Sequence, residues 1–319
     1  MCLLVAVLLA AGCGRTEVEP APARPAERIV LQTDWFAQPE HGGFYQAQAR
    51  GFYAEAGIEV EILPGGPNAQ TVQKVLRGRA QFAMNRADTI YRLASEDVPV
   101  VLVMATLQHD PQAVMVHAAS PVRTLADLDG RRVMAIPGLA WIAYVESRYG
   151  IKLRVVPHDF GMERFLADPE LAQQCLLTNE PFYAALHDIP VRVLPLRASG
   201  FDPYHGIYGL RSFIDANPDL VRRFIAASIR GWEDFIHGDP APAFALIAAR
   251  NPKMSVEFMT FARAAMLAHH LVEGEPGSGG AIGRLDPARL DAMAAELRAR
   301  GIVGGAAPQE GWYRSDRTD

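Results

Sequence analysis

Three stretches of the sequence gather side chains with useful chemistry. Thr33-Asp34-Trp35-Phe36 is followed by His41-Gly42-Gly43-Phe44-Tyr45, Asn85-Arg86 ends a short apolar run, and Thr178-Asn179-Glu180-Pro181-Phe182-Tyr183 ends another. Pro137-Gly138-Leu139-Ala140-Trp141 adds a further ring after a fourth run. Trp35, Tyr45, Trp141 and Tyr183 offer flat apolar faces, while Asp34, His41, Asn85, Asn179 and Glu180 offer hydrogen-bonding edges. That mixture suits a small, flat, polar heterocycle that stacks between rings and is recognised at its edge. A carboxylate such as Glu180 can accept two bonds from a ligand edge that carries N–H donors. An anionic ligand would instead require Arg, Lys or bare helix N-termini, and Arg86 and Arg164 are the nearby basic candidates.

Motifs for other chemistry are missing. There is no G-x-S-x-G elbow, P-loop, H-E-x-x-H or strand-following G-x-G-x-x-G, so no catalytic residue, metal or cofactor is expected. His269 and His270 are adjacent on a helical pattern and point about 100° apart, which makes them poor co-ligands. The segment Glu273–Gly283 is rich in Gly and Ser and reads as a mobile loop, since no strand precedes it.

The elements that must position these residues alternate short apolar strands with amphipathic helices. Strands are expected at 29–32, 58–62, 82–84 and 98–105, with helices at 43–56, 69–77 and 87–95. A second set follows Pro121, with strands at 132–136, 153–156, 175–177 and 191–194 and helices at 139–149, 162–167 and 182–187. This is the pattern of an α/β protein with mostly parallel sheets flanked by helices. Ligands of open α/β sheets bind beyond the carboxyl ends of the strands, which is where the residues above fall. The final third is helical, with Asn217-Pro218 and Asp286-Pro287 as cap-plus-proline helix starts.

The 319 residues allow about two domains, and a 50% hydrophobic, 21% charged composition is enough to build their cores. A formal net charge of −5 excludes a basic nucleic-acid groove. Residues 1–13 read as a signal peptide whose Leu8-Leu9-Ala10-Ala11-Gly12-Cys13 ending resembles the lipobox of bacterial lipoproteins, in which the cysteine is lipidated. Ala10 stands where that family usually has Leu, and no basic n-region precedes the apolar run. Residues 14–27 carry Pro20, Pro22 and Pro25 and form a semi-rigid spacer. Once Cys2 is removed and Cys13 lipidated, Cys175 is the one remaining thiol, so no internal disulfide is expected.

The blocks Asp34-Trp35, His41-Gly42, Gly51-Phe52-Tyr53 and Gly57-Ile58-Glu59-Val60 together resemble the opening of periplasmic binding proteins for thiamine-pyrimidine precursors and their sulfonate-binding relatives. Gly78–Phe82, Leu125–Val133 and Asn217–Phe224 extend the resemblance over roughly residues 28–300. It implies a two-lobed binding-protein fold (type II) with a helical C-terminal wrap. Lobe 1 is then residues 28–112 and 198–319, and lobe 2 is 113–197. The resemblance also implies a lipid-anchored, monomeric substrate-binding protein in the periplasm or at the cell surface. It would deliver a small molecule to the permease and ATPase subunits of an ABC importer. Fungal enzymes that build the thiamine pyrimidine share this superfamily, and use a lysine, a histidine and a cysteine-rich iron motif. Here Asn85 falls at the lysine, Thr89 at the histidine, and Phe201–His205 at the motif with no cysteine. The resemblance therefore favours a binding protein over an enzyme, because no Schiff base can form without the amine.

Overall fold

The computed structural model of the protein describes residues 26–67, 69–308 and 311–315. The signal segment, Cys13 and nearly all of the proline-rich spacer lie outside these. The chain opens with β1 (Glu27–Gln32), α1 (Gly42–Ala49), α2 (Phe52–Glu55), β2 (Ile58–Leu63), α3 (Thr71–Leu76), β3 (Phe82–Arg86), α4 (Ala87–Ser95) and β4 (Val100–Leu107). It continues through β5 (Gln112–His117), β6 (Arg132–Ala135), α5 (Ala140–Tyr149), β7 (Arg154–Pro157), α6 (Glu163–Ala167), β8 (Ala172–Leu176), α7 (Glu180–Leu186) and β9 (Val191–Pro195). After β10 (His205–Leu210) come α8 (Arg211–Ala216), α9 (Pro218–His237), α10 (Ala241–Arg250), α11 (Val256–Ala268) and α12 (Pro287–Ala299).

Two five-stranded sheets result, in the orders β2-β1-β3-β10-β4 and β7-β6-β8-β5-β9. In each, four strands run in one direction and one, β10 or β5, runs against them. This is the mostly parallel α/β arrangement expected, with one antiparallel strand in each sheet that periodicity alone does not pick out. β10 reads HGIYGL, and its glycines resemble a turn rather than a strand. They are there because β10 is squeezed between β3 and β4. A Cβ on Gly206 would come within 2.5 Å of the Met104 carbonyl oxygen, and one on Gly209 within 2.7 Å of that of Gln81.

The single helix expected at 43–56 is in fact two, because Gly51 turns the backbone left-handed at φ 75° and separates α1 from α2. The long helix α9 lays an apolar stripe on the first sheet. Its Phe224 is fully buried and stacks on Phe82 at 4.8 Å and on Tyr53 at 5.9 Å. Burying one such ring stabilises the fold by about 1.5–3 kcal/mol. The glycine-rich segment after α11 is pinned to the end of β4. The Gln108 side-chain amide donates to the carbonyl oxygens of Ala281 at 2.8 Å and Arg284 at 2.9 Å.

The chain passes between the sheets in two neighbouring segments, at 108–111 and 196–204. Asp202 ties them together. It accepts the Asp110 backbone N–H at 2.8 Å, lies 2.6 Å from His109 Nδ1, and receives the Arg289 guanidinium at 3.0 Å. This fixes the crossover point while leaving the space between the two sheets open.

Candidate functional site

A cavity of about 830 Å³ lies between the sheets, beyond the carboxyl ends of their parallel strands. This volume falls in the range of small-molecule sites. From the first sheet it is lined by Asp34, Trp35 and Phe36 after β1, by Glu40 in the 3₁₀ turn Pro39–His41, and by Arg86 at the end of β3. From the second sheet come Ile136 and Leu139 after β6, His158 and Phe160 after β7, and Asn179, Glu180 and Tyr183 around the start of α7. Asp110 contributes from the first crossover and His205 from the start of β10, directly after the second. Trp35 and Phe160, from opposite sheets, sit 5.3 Å apart at a tilt of 42°, and Phe36 meets Trp35 edge-on at 5.6 Å. The mouth is thus aromatic on both sides.

The deep wall is acidic, and each acid is held differently. Asp34 lies between two imidazoles, with His41 Nε2 3.0 Å from Oδ1 and His205 Nε2 3.0 Å from Oδ2. Burial pushes its pKa up, but the two histidines outweigh that and hold the carboxyl well below the usual range. Glu40 is 2% exposed. The Thr178 hydroxyl donates to its Oε1, whereas Oε2 is buried with no partner among the described residues. Burial raises the Glu40 pKa, only partly offset by the Thr178 bond. Glu180 is partly buried and accepts the Leu176 backbone N–H at 2.7 Å. Desolvation, helped by the charge of Glu40, pushes its pKa up to about 7. Asp110 is likewise raised by burial to about 6, against the pull of Arg86 and the Gln112 amide. Cys175, buried beneath Glu180, has its thiol pushed up by burial and by that carboxyl.

Of the residues expected at the site, Asp34, Trp35, Asn179, Glu180 and Tyr183 line the cavity. Four do not. Tyr45 is fully buried in the core on α1, with the Arg250 guanidinium 5.2 Å from its ring centre. Trp141 is fully buried on α5 in the core that includes Val133 and Ala135, because the helix turns its apolar side to the sheet. Asn85 folds its carbonyl back onto the Arg86 backbone N–H at 2.9 Å. Strand alternation gives its place in the cavity to Arg86. His41 is fully buried and stands behind Asp34, holding it rather than lining the space. Arg164 pairs with Asp159 at 3.7 Å outside the cavity.

The sequence reading missed Glu40, Asp110, His158, Phe160 and His205. Two signals were available. His158 and Phe160 follow β7 and obey the same strand-end rule as the others. Glu40 directly precedes His41. Asp110 and His205 depend on the two crossovers meeting and have no local signal. Among the described residues no group of three or more His, Cys, Asp or Glu could hold a metal, and no helix is long and apolar enough to cross a membrane.

A site between two mixed α/β sheets joined by paired crossovers is the architecture of a periplasmic binding protein, and the solved structures agree. The sulphonate-binding protein SsuA of Escherichia coli superimposes with a TM-score of 0.68 at 14% identity, covering 92% of this chain and 94% of that one. The chain belongs to the NMT1/THI5-like family, whose model matches residues 38–243.

Among curated relatives, a putative thiamine biosynthesis protein of Haemophilus influenzae is 28% identical over 112 residues, 35% of this chain and 36% of that protein. The match thus spans about a third of that relative's length. The riboflavin-binding protein RibY of Chloroflexus aurantiacus is 26% identical over 270 residues, 76% of this chain and 75% of that protein. A formylaminopyrimidine-binding protein of Halalkalibacterium halodurans is 29% identical over 138 residues, 43% and 41% of the two chains. More distant relatives include proteins named as synthases of a pyrimidine phosphate.

Proposed function

We infer that this protein is the substrate-binding component of an ABC importer and captures a flat heterocycle rich in N–H donors. A thiamine-pyrimidine precursor such as a formylaminopyrimidine fits best. The observation that carries this reading is the pairing of Trp35 with Phe160 from opposite sheets above a wall containing Asp34, Glu40 and Glu180. Aromatic faces from both sides suit a planar ring, and carboxylates suit its amino edge.

In this reading lobe 1 comprises residues 28–112 and 198–319 and lobe 2 residues 113–197. They close about the crossovers that Asp202 ties together. Trp35, Phe160 and Tyr183 stack on the ligand, while Asp34, Asn179 and Glu180 read its edge. Closure then presents the permease with a recognisable surface. Lipidation at Cys13 would tether the protein to the membrane through the proline-rich spacer, placing it in the periplasm or at the cell surface.

A sulfonate or nitrate fits less well, since Arg86 faces Asp88 at 3.5 Å and Lys253 is exposed at the rim. An enzymatic role is disfavoured by Asn85 at the lysine position and by the absence of cysteine across 201–205. A flavin is the second reading, favoured by the RibY relative matching three quarters of the chain.

Thermal unfolding against a panel tests the proposal. It contains a formylaminopyrimidine, hydroxymethylpyrimidine, thiamine, riboflavin, taurine, an alkanesulfonate and nitrate. A ligand at about 100 times its Kd adds about 2.7 kcal/mol to the folded state. A shift with pyrimidines that is lost in Glu180→Ala supports the reading. A shift with sulfonates or nitrate alone refutes it.

A further inference from the structure

We propose that Glu40 and Glu180 form a two-sided clamp that makes the cavity select ligands carrying a positive charge over neutral ligands of the same shape. The inference deepens the binding-protein reading above and rests on it for the location of the ligand. Asp34 is satisfied by two imidazoles at 3.0 Å each. Arg86 faces Asp88 at 3.5 Å and also acts on Asp110. Glu163 and Lys253 are exposed at the rim. Glu40 and Glu180 remain, and the bonds they make are to a hydroxyl and a backbone N–H rather than to a cation.

Glu40 is the more telling of the two. Nearly all of its surface is removed from water, yet Oε2 has no donor among the described residues. Leaving a buried carboxylate oxygen unpaired is costly, and a residue whose second oxygen belongs to a ligand explains it. The two carboxyls also come from opposite sides. Glu40 stands in the 3₁₀ turn leading into α1, against the first sheet, and Glu180 opens α7 after β8 of the second. Each lies close enough to raise the proton affinity of Tyr183, which sits beside them. When both carboxyls are ionised, holding the two sides together without a cation sets like charges against one another, and each acid then keeps its proton more tightly. A ligand ammonium or amidinium between them reverses the sign of that interaction. The Thr178 hydroxyl bond to Glu40 already holds the second sheet's loop against the first, so the two carboxyls face one cavity.

Titration calorimetry on the full chain tests this with two matched pairs of probes. One pair is 4-amino-5-aminomethyl-2-methylpyrimidine, an ammonium at neutral pH, against its neutral 5-hydroxymethyl counterpart. The other is benzamidinium against benzamide. The charged member should bind at least about tenfold tighter, a difference of only about 1.4 kcal/mol. In Glu40→Gln, which keeps the shape and the Thr178 acceptor, that ratio should fall toward one while the thermal midpoint shows the variant folded. Glu180→Gln serves as the second variant and should reduce the ratio in the same direction.

Equal binding of charged and neutral members by the wild type overturns the proposal, as does a ratio that survives in both variants. If neither pyrimidine binds but benzamidinium still beats benzamide, the pyrimidine assignment falls and charge selection stands. Failure of all four probes overturns both.

Discussion

Glu180 gives the protein a pH dependence that can be worked out before it is measured. Its folded-state pKa of about 7 lies above the ordinary value of 4.5, because desolvation and the nearby Glu40 disfavour its charge. A carboxyl whose pKa is raised on folding binds its proton more tightly in the native state. Its stabilising contribution is therefore fully present below pH 4.5 and is lost as pH rises through about 7. The difference of about 2.5 pKa units, at about 1.36 kcal/mol each, sets a ceiling of about 3 kcal/mol. Glu180 is partly accessible through the cavity, so solvent screening reduces this to about 1–3 kcal/mol.

Other shifted groups bear on the same measurement, and Glu40, itself raised by burial, is coupled to Glu180. Asp110, raised to about 6, acts in the same direction. His158 is lowered by burial and acts oppositely, adding stability as pH rises through its range. A difference measurement removes Asp110 and His158 and retains the Glu180–Glu40 coupling as part of the effect. Urea unfolding of wild type and Glu180→Gln from pH 4.5 to 8, without ligand, should show the variant gaining about 1–3 kcal/mol relative to wild type as pH increases. The glutamine oxygen still accepts the Leu176 N–H, so the comparison isolates the charge. Parallel curves across the whole range would refute the assignment of a perturbed carboxyl at this position.

Two further outcomes follow from where the rings lie. Of the four tryptophans, Trp35 borders the cavity, while Trp141, Trp232 and Trp312 are buried. A saturating ligand should change tryptophan emission in the wild type and leave it unchanged in Trp35→Phe; a persistent change would place the ligand elsewhere. Trp141→Ala should lower stability by about 3–5 kcal/mol through loss of core packing and leave the affinity of the remaining folded protein unchanged. Loss of affinity without loss of stability in that variant would return Trp141 to the binding site.

Much of the architecture was legible from local pattern. The boundaries of α4 coincide with the expected helix, and most strands fall within a residue or two, because apolar periodicity and chain punctuation are local properties. The strand-end rule also brought Asp34, Trp35, Asn179, Glu180 and Tyr183 to one cavity. It over-reached with Tyr45 and Trp141, since an aromatic residue near a strand end packs against the core as readily as it faces the opening. It failed with Asn85 by one residue, and in a strand one residue changes the face.

The sequence by itself determined that two sets of α/β elements exist, that a helical segment follows them, and that acids and rings cluster at strand ends. Tertiary structure alone decided that β10 and β5 run antiparallel and that the crossovers are joined at Asp202. It also set Glu40 and Thr178, separated by 138 residues, in one hydrogen bond. These facts depend on segments distant in the chain being brought together by burial of the two sheets' cores, and local spacing carries no record of which partners that burial selects.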